Sequence, residues 1–198
     1  DRLHYAACCT NLDDWVGRIL EAVERRGDRD NTLVVFSSDH GELLGDHGRW
    51  TKMVAYESSL RVPLILSGPG VPAGVQSPVP VELIDLAATL LDSAGVPVPG
   101  DWDARPLTPL FANPSAAHRA FAFSQLENWR CVTSNDWKLI EFKSGELRLF
   151  NLQEDAAELQ NVVGRFPQKA QELAALLQLE NPWMVAPGEA TAAPSRTA

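Results

Sequence analysis

The sequence predicts an α/β fold: part of an open, layered sheet with helices, followed by a small antiparallel β subdomain with a C-terminal helix. Three observations carry that prediction. Helix, strand, strand and helix patterns succeed one another in the first half of the chain, the rhythm of a layered sheet. The composition then turns to Pro, Ala, Asp and Asn over 97–117. Four short strand-like runs follow, and Lys143-Ser144-Gly145 between the last two is a hairpin signal.

Leu12, Trp15, Val16, Ile19, Leu20 and Val23 recur at helical spacing. Thr10 with Asp13, or Asn11 with Asp14, offers a cap at the start. Arg25-Arg26-Gly27 supplies the cations and the glycine that end a helix. Leu33-Val34-Val35-Phe36 reads as a short buried strand. Val62-Pro63-Leu64-Ile65-Leu66 reads as a second, with Pro63 near its start, where it is tolerated. Residues 82–94 form a helix with Leu83, Ala87, Leu90 and Ala94 on one stripe, stopped by Gly95 and Pro97. Strands are expected at 120–124, 130–133, 137–142 and 147–152. Pro167 opens a last helix with Ala170, Leu173, Ala174 and Leu177 on one face. The expected divisions are an α/β part over 1–115, the small β-plus-helix part over 116–180, and a disordered tail over 181–198.

Of the 198 residues, 45% are hydrophobic and 22% charged, which excludes disorder of the whole chain. Seventeen basic against 26 acidic residues give a net charge of −9, which argues against nucleic acid as a partner. No apolar run approaches ~18 residues, so no membrane-spanning helix is expected. The chain opens on Asp1 with no readable leader, and the expectation is a piece of something longer, with the compartment left open. Cys8, Cys9 and Cys131 make no disulfide framework and read as buried structural thiols. Trp15 and Trp137 read as core. His4 and His118 read as surface or cap residues, and Glu154, Asp155 and Glu158 as a solvated turn.

Chemistry concentrates between Ser38 and Lys52. Asp39 and His40 stand where a buried strand ends, the place where open α/β sheets bind ligands. A carboxylate and an imidazole there can ligate a divalent cation. Gly41 allows the chain a tight departure, and Lys52 lies far enough along to return to the same spot. A metal with a lysine makes a site for a tetrahedral oxyanion ester, because both stabilise negative charge on its oxygens. Spacing alone leaves a turn or a cap as the commoner reading of an Asp-His pair.

The run from Thr32 to Glu42, then Gly45-Asp46-His47-Gly48, Lys52, Tyr56-Glu57 and Arg61-Val62-Pro63-Leu64-Ile65, resembles the second half of a type I sulfatase. That family belongs to the alkaline-phosphatase-like superfamily, and the resemblance extends over about residues 3–180. It implies the layered sheet of that superfamily and hydrolysis of a sulfate ester, with phosphonate or phosphate ester hydrolysis on the same scaffold as the alternative. A non-catalytic sulfatase-like fragment is the reading from a different class. The resemblance implies that Asp39 and His40 ligate the active-site cation, Ca²⁺ first and Mn²⁺ or another divalent metal as the alternative. Lys52 is implied to contact the ester oxygens and steady the leaving oxygen. His47 is implied as a substrate contact or a loop-ordering residue, and Trp50 beside Lys52 as a substrate-facing one. Glu57 and Arg61 are expected to hold the loop to the strand, as an ion pair. The family nucleophile is a formylglycine made in a Cys/Ser-x-Pro-x-Arg motif. None of the three cysteines is followed by that pattern, so the formylglycine is expected in an upstream part. The implied partner is a small-molecule or carbohydrate sulfate ester, and a homo-oligomer is left open.

Overall fold

The computed structural model describes residues 2–180 together with Pro182 and Trp183. The expected tail over 181–198 otherwise lies outside the described residues. Helix α1 (Arg2–Arg26) begins well before the predicted caps. The Thr10 hydroxyl donates backwards to the Ala6 carbonyl (3.1 Å) instead of capping, which is how a threonine sits inside a helix. Gly27, at φ +72°, ends it as predicted.

No residue of α1 is buried. Trp15 is 53% exposed, and Cys8 and Cys9 are exposed, so the core assignment of these three is corrected. The helical stripe is real, but no described sheet or helix packs along it. Strands β1 (Val34–Ser37) and β2 (Leu64–Ser67) pair antiparallel, from Val34 opposite Ser67 to Ser37 opposite Leu64. They are half-buried rather than buried, because two strands cover little of each other's faces; Ile65 is 58% exposed.

Between these strands lies the short helix α2 (Glu57–Leu60). Helix α3 (Asp85–Ser93) starts three residues later than the apolar stripe suggests, since the Asp85 carboxylate accepts the Glu82 N–H (3.0 Å) ahead of the first turn. The expected irregular connection contains a short helix, α4 (Thr108–Ala112).

The rest of the chain is a meander of β3 (Ala122–Leu126), β4 (Trp129–Thr133), β5 (Trp137–Phe142) and β6 (Leu147–Asn151), followed by α5 (Pro167–Glu180). Alternating side chains point to opposite faces of such a sheet. Val132, Leu139 and Leu149 pack with Ala170, Leu173 and Leu177 of α5 on one face. Their neighbours Cys131, Ile140 and Phe150 point the other way and pack with Trp129, Leu43, Ala55 and Tyr56. The second face of the C-terminal sheet is therefore the platform on which the 43–56 segment sits. Cys131 is buried as predicted, and burial pushes its thiol up to about 12. It is no nucleophile at neutral pH.

Asp85 is fully buried and ties α3 to the start of the meander. Arg119 grips its carboxylate from two nitrogens (2.6 and 2.9 Å), the Arg105 N–H donates at 2.8 Å, and His118 Nε2–H donates at 3.2 Å. His118 is thus an interior residue, which corrects its surface assignment; its partner lies 33 positions away. Burial works against ionisation of Asp85, but the Arg119 guanidinium and the N–H donors outweigh it and hold the carboxyl below its ordinary value of 3.8. The group is depressed on folding, so its contribution is complete above pH ~4 and lost as acid protonates it. Asp85→Ala leaves Arg119 buried without its main partner and is expected to cost about 3–5 kcal/mol. Urea denaturation at pH 7 measures this, and the gap between variant and parent should narrow when the titration is repeated near pH 3.

Candidate active site

β1 delivers Ser38, Asp39 and His40 at its carboxyl end. The turn is held by its own side chains: Ser38 Oγ–H donates to the His40 carbonyl (2.7 Å), and the His40 N–H donates to Asp39 Oδ1 (3.0 Å). His40 Nδ1–H donates to the Gly41 carbonyl at 2.8 Å. That bond fixes the tautomer and leaves the Nε2 lone pair as an acceptor. Lys52 Nζ donates to this Nε2, and Asp39 Oδ2 lies 3.4 Å from it. A carboxylate, an imidazole nitrogen and an ammonium thus meet at one point. The slight desolvation of Asp39 opposes ionisation, but the neighbouring His40 ring, the His40 N–H and the Lys52 ammonium outweigh it and hold the carboxyl low. An Asp39 oxygen and His40 Nε2 are the donors a cation would take, Nε2 giving up its bond from Lys52 to do so. Among the described residues no third His, Cys, Asp or Glu joins them, so they supply part of a coordination sphere.

Lys52 returns to His40 through an unusual loop. Leu44, His47 and Thr51 have positive φ of 51°, 53° and 77°, a conformation that costs a non-glycine residue roughly 1–3 kcal/mol. Hydrogen bonds hold it there: Leu43 N–H donates to the Thr51 carbonyl (3.0 Å), and the Thr51 N–H donates to the Glu42 carboxylate. Gly41 lies against α2, its N–H donating to the Ser59 carbonyl at 2.7 Å. A Cβ on Gly41 would stand 2.1 Å from the Ser58 carbonyl oxygen, which explains the glycine.

The loop is anchored to the platform beneath it. Leu43 and Tyr56 are buried there, worth about 1.5–3 kcal/mol each. Trp129 Nε1–H donates to the Met53 carbonyl at 3.1 Å. Lys138 of β5 is fully buried and pairs with Glu57 (2.6 Å) and Glu158 (2.8 Å), and Glu158 also accepts the Glu57 N–H (2.6 Å). Burial disfavours the Lys138 ammonium, but the two carboxylates outweigh that and raise its pKa. Two expectations are corrected here. Glu57 pairs not with Arg61 but with Lys138, 81 residues away, and Arg61 is exposed. Glu158 is not in a solvated turn but 3% exposed, because the Lys138 charge needs it.

Of the residues singled out from the sequence, Asp39, His40 and Lys52 come together and line a broad cleft of about 2060 Å³. His47 and Trp50 are not in that lining. His47 stacks flat on Tyr56, ring centroids 3.7 Å apart, and orders the loop. Trp50 is half-exposed near Gly45. Ser59, Glu42 and Lys138 were not foreseen. Gly41 was the signal that a backbone passes close, but it does not say which one.

Comparison with known proteins bears on this arrangement. The sulfatase family model matches residues 1–96. Arylsulfatase K of Danio rerio is 37% identical over 190 residues, covering 89% of this chain and 36% of that protein. An N-acetylglucosamine-6-O-sulfatase of Bacteroides thetaiotaomicron is 32% identical, covering 88% of this chain and 34% of its own length. A solved structure in complex with its substrate D-glucosamine-2-N,6-O-disulfate superposes with a TM-score of 0.79 at 33% identity, over 84% of this chain and 37% of that one. A phosphonate monoester hydrolase from Silicibacter pomeroyi superposes at 0.72 with 31% identity, over 86% and 38%. The fold is that of the alkaline-phosphatase-like hydrolases. Within them, residues 1–96 match the sulfatase family, and the chain spans about a third of the length of the curated relatives it matches.

Gly41→Ala puts a methyl into main chain that no rotamer change can clear. It is expected to cost about 1–3 kcal/mol or more. Thermal denaturation should show the loss, and a variant as stable as the parent would mean that Gly41 and α2 do not touch.

Proposed function

We propose that the protein containing this chain hydrolyses sulfate esters, and that Asp39, His40 and Lys52 are part of its active site. The observation that carries this reading is the convergence of Asp39, His40 Nε2 and Lys52 Nζ at the carboxyl end of β1, in a chain whose residues 1–96 match the sulfatase family. Hydrolysis breaks the S–O bond of the ester, leaves its electron pair on the alcohol oxygen, and puts a proton there. Lys52, an ammonium with three donors, binds the sulfate oxygens and steadies the leaving oxygen. Asp39 and His40 would hold a divalent cation, whose chemistry is to offset negative charge on the sulfate and to lower the pKa of a bound hydroxyl. Ca²⁺ is the proposed metal; the imidazole, a softer ligand than a carbonyl oxygen, keeps Mn²⁺ as the alternative. The nucleophile would be a formylglycine from a Cys/Ser-x-Pro-x-Arg segment that these residues do not contain.

The substrate proposed is a sulfated carbohydrate. Two similar proteins support that, one named for N-acetylglucosamine 6-O-sulfate and one bound to a glucosamine disulfate. Trp50 is half-exposed against Gly45, outside the lining of the cleft, so the substrate-facing role expected of it is not part of this reading; His47 serves the loop.

The test uses the full-length protein with glucosamine 6-O-sulfate, an aryl sulfate and an aryl phosphonate monoester. Sulfate release is expected to dominate. A higher kcat/KM on the phosphonate would transfer the reading to phosphonate hydrolysis. Lys52→Ala should lower kcat/KM on the sulfates by ~10²–10³-fold. Asp39→Ala should empty the protein of its divalent metal by elemental analysis, and full metal content would remove Asp39 from the site.

A further inference from the structure

Asp39 and His40 lie on one turn and Lys52 on another, and Ser59 of α2 bonds to both. Its carbonyl accepts the Gly41 N–H at 2.7 Å, and Gly41 in turn takes His40 Nδ1–H on its own carbonyl at 2.8 Å. Its hydroxyl donates to the main-chain carbonyl of Lys52. Ser59 is 2% exposed, so neither bond competes freely with water. Glu57, two residues earlier on α2, is pinned to the buried Lys138.

We propose that Ser59 is a positioning residue of this site: one buried serine sets where the Lys52 ammonium stands relative to His40. The proposal rests on the sulfatase reading of Lys52 given above. A lysine side chain has four flexible methylenes, so the placement of its ammonium depends on how firmly its main chain is held. The bonds from Leu43 and to Glu42 hold Thr51 at φ +77°, but neither reaches the Lys52 carbonyl, which the Ser59 hydroxyl takes. Without the Ser59 hydroxyl, the Lys52 carbonyl loses this tether and Lys52 is free to shift, and a shift of about 1 Å costs roughly 10²-fold in rate. The effect falls on one step. As the S–O bond breaks, charge builds on the leaving oxygen, and a displaced ammonium no longer meets it. Alcohols that leave well barely need that ammonium, whereas poor leaving groups do.

The experiment measures kcat and KM of the full-length enzyme on a series of aryl sulfates of graded phenol pKa, in parent, Lys52→Ala, Ser59→Ala and the double variant. Both single variants are expected to show a steeper fall of kcat/KM with leaving-group pKa. Ser59→Ala should lose about 10–100-fold on the poorest leaving group and about threefold or less on the best, through kcat rather than KM. The double variant should be no steeper than Lys52→Ala, because Ser59 acts through Lys52. A Ser59→Ala slope equal to the parent's, beside a steeper Lys52→Ala slope, overturns the proposal and leaves Ser59 a structural residue. An unchanged slope in Lys52→Ala overturns the role given to Lys52, and the positioning role falls with it. Should Ser59→Ala not fold, Ser59→Cys keeps the volume with a weaker donor; its slope must then lie between those of the parent and Lys52→Ala, and a parental slope overturns the proposal equally.

Discussion

A buried ammonium holds the site segment in place. Lys138, on the central part of the C-terminal sheet, takes Glu57 and Glu158 as its two counter-charges, and Glu57 opens the short helix that braces Gly41 and Lys52. The segment from 41 to 60 has little regular structure of its own, and three of its residues stand in strained backbone conformations. Something outside it must fix its shape. That support is the far face of the meander, where Cys131, Ile140 and Phe150 receive Leu43, Ala55 and Tyr56 while α5 fills the opposite face. Charge, apolar burial and the Trp129 indole bond act on the same segment from the same side.

The division of labour follows from this. The strand supplies Asp39 and His40 at a defined end, as open sheets do. The loop supplies Lys52 from a distance in sequence. The C-terminal sheet contributes no residue to the point where the three side chains meet, yet it carries the segment that brings Lys52 there. The C-terminal sheet thus supports these residues through Lys138 and the platform rather than by lending a side chain to them.

Much of the fold was legible because it depends on local pattern. The short strand-like run at 137–142, the Lys143-Ser144-Gly145 turn and Pro167 before an apolar stripe each gave the right element, since each works through neighbours in sequence. The Asp39, His40 and Lys52 grouping was legible through a resemblance, and the geometry brings the three together. What was not legible depends on distant partners. Nothing near Asp85 announces Arg119 or His118, and nothing near Glu57 announces Lys138, so His118 and Glu158 read as surface residues and are interior ones. The α1 stripe failed in the opposite sense: periodicity predicts a helix and an apolar face, but not that a partner for that face lies among the described residues, and Trp15 is exposed.

The most direct test of the Lys138 anchor is amide hydrogen exchange, read residue by residue in the parent and in Lys138→Met. The N–H groups of Gly41, Leu43 and Thr51 donate within the site segment, whereas those of β4 and α5 belong to the sheet and helix behind it. Lys138→Met should speed exchange at Gly41, Leu43 and Thr51 while β4 and α5 keep most of their protection. Equal protection of the site segment in both proteins would contradict the account, and would mean that the segment holds its shape without the buried ammonium.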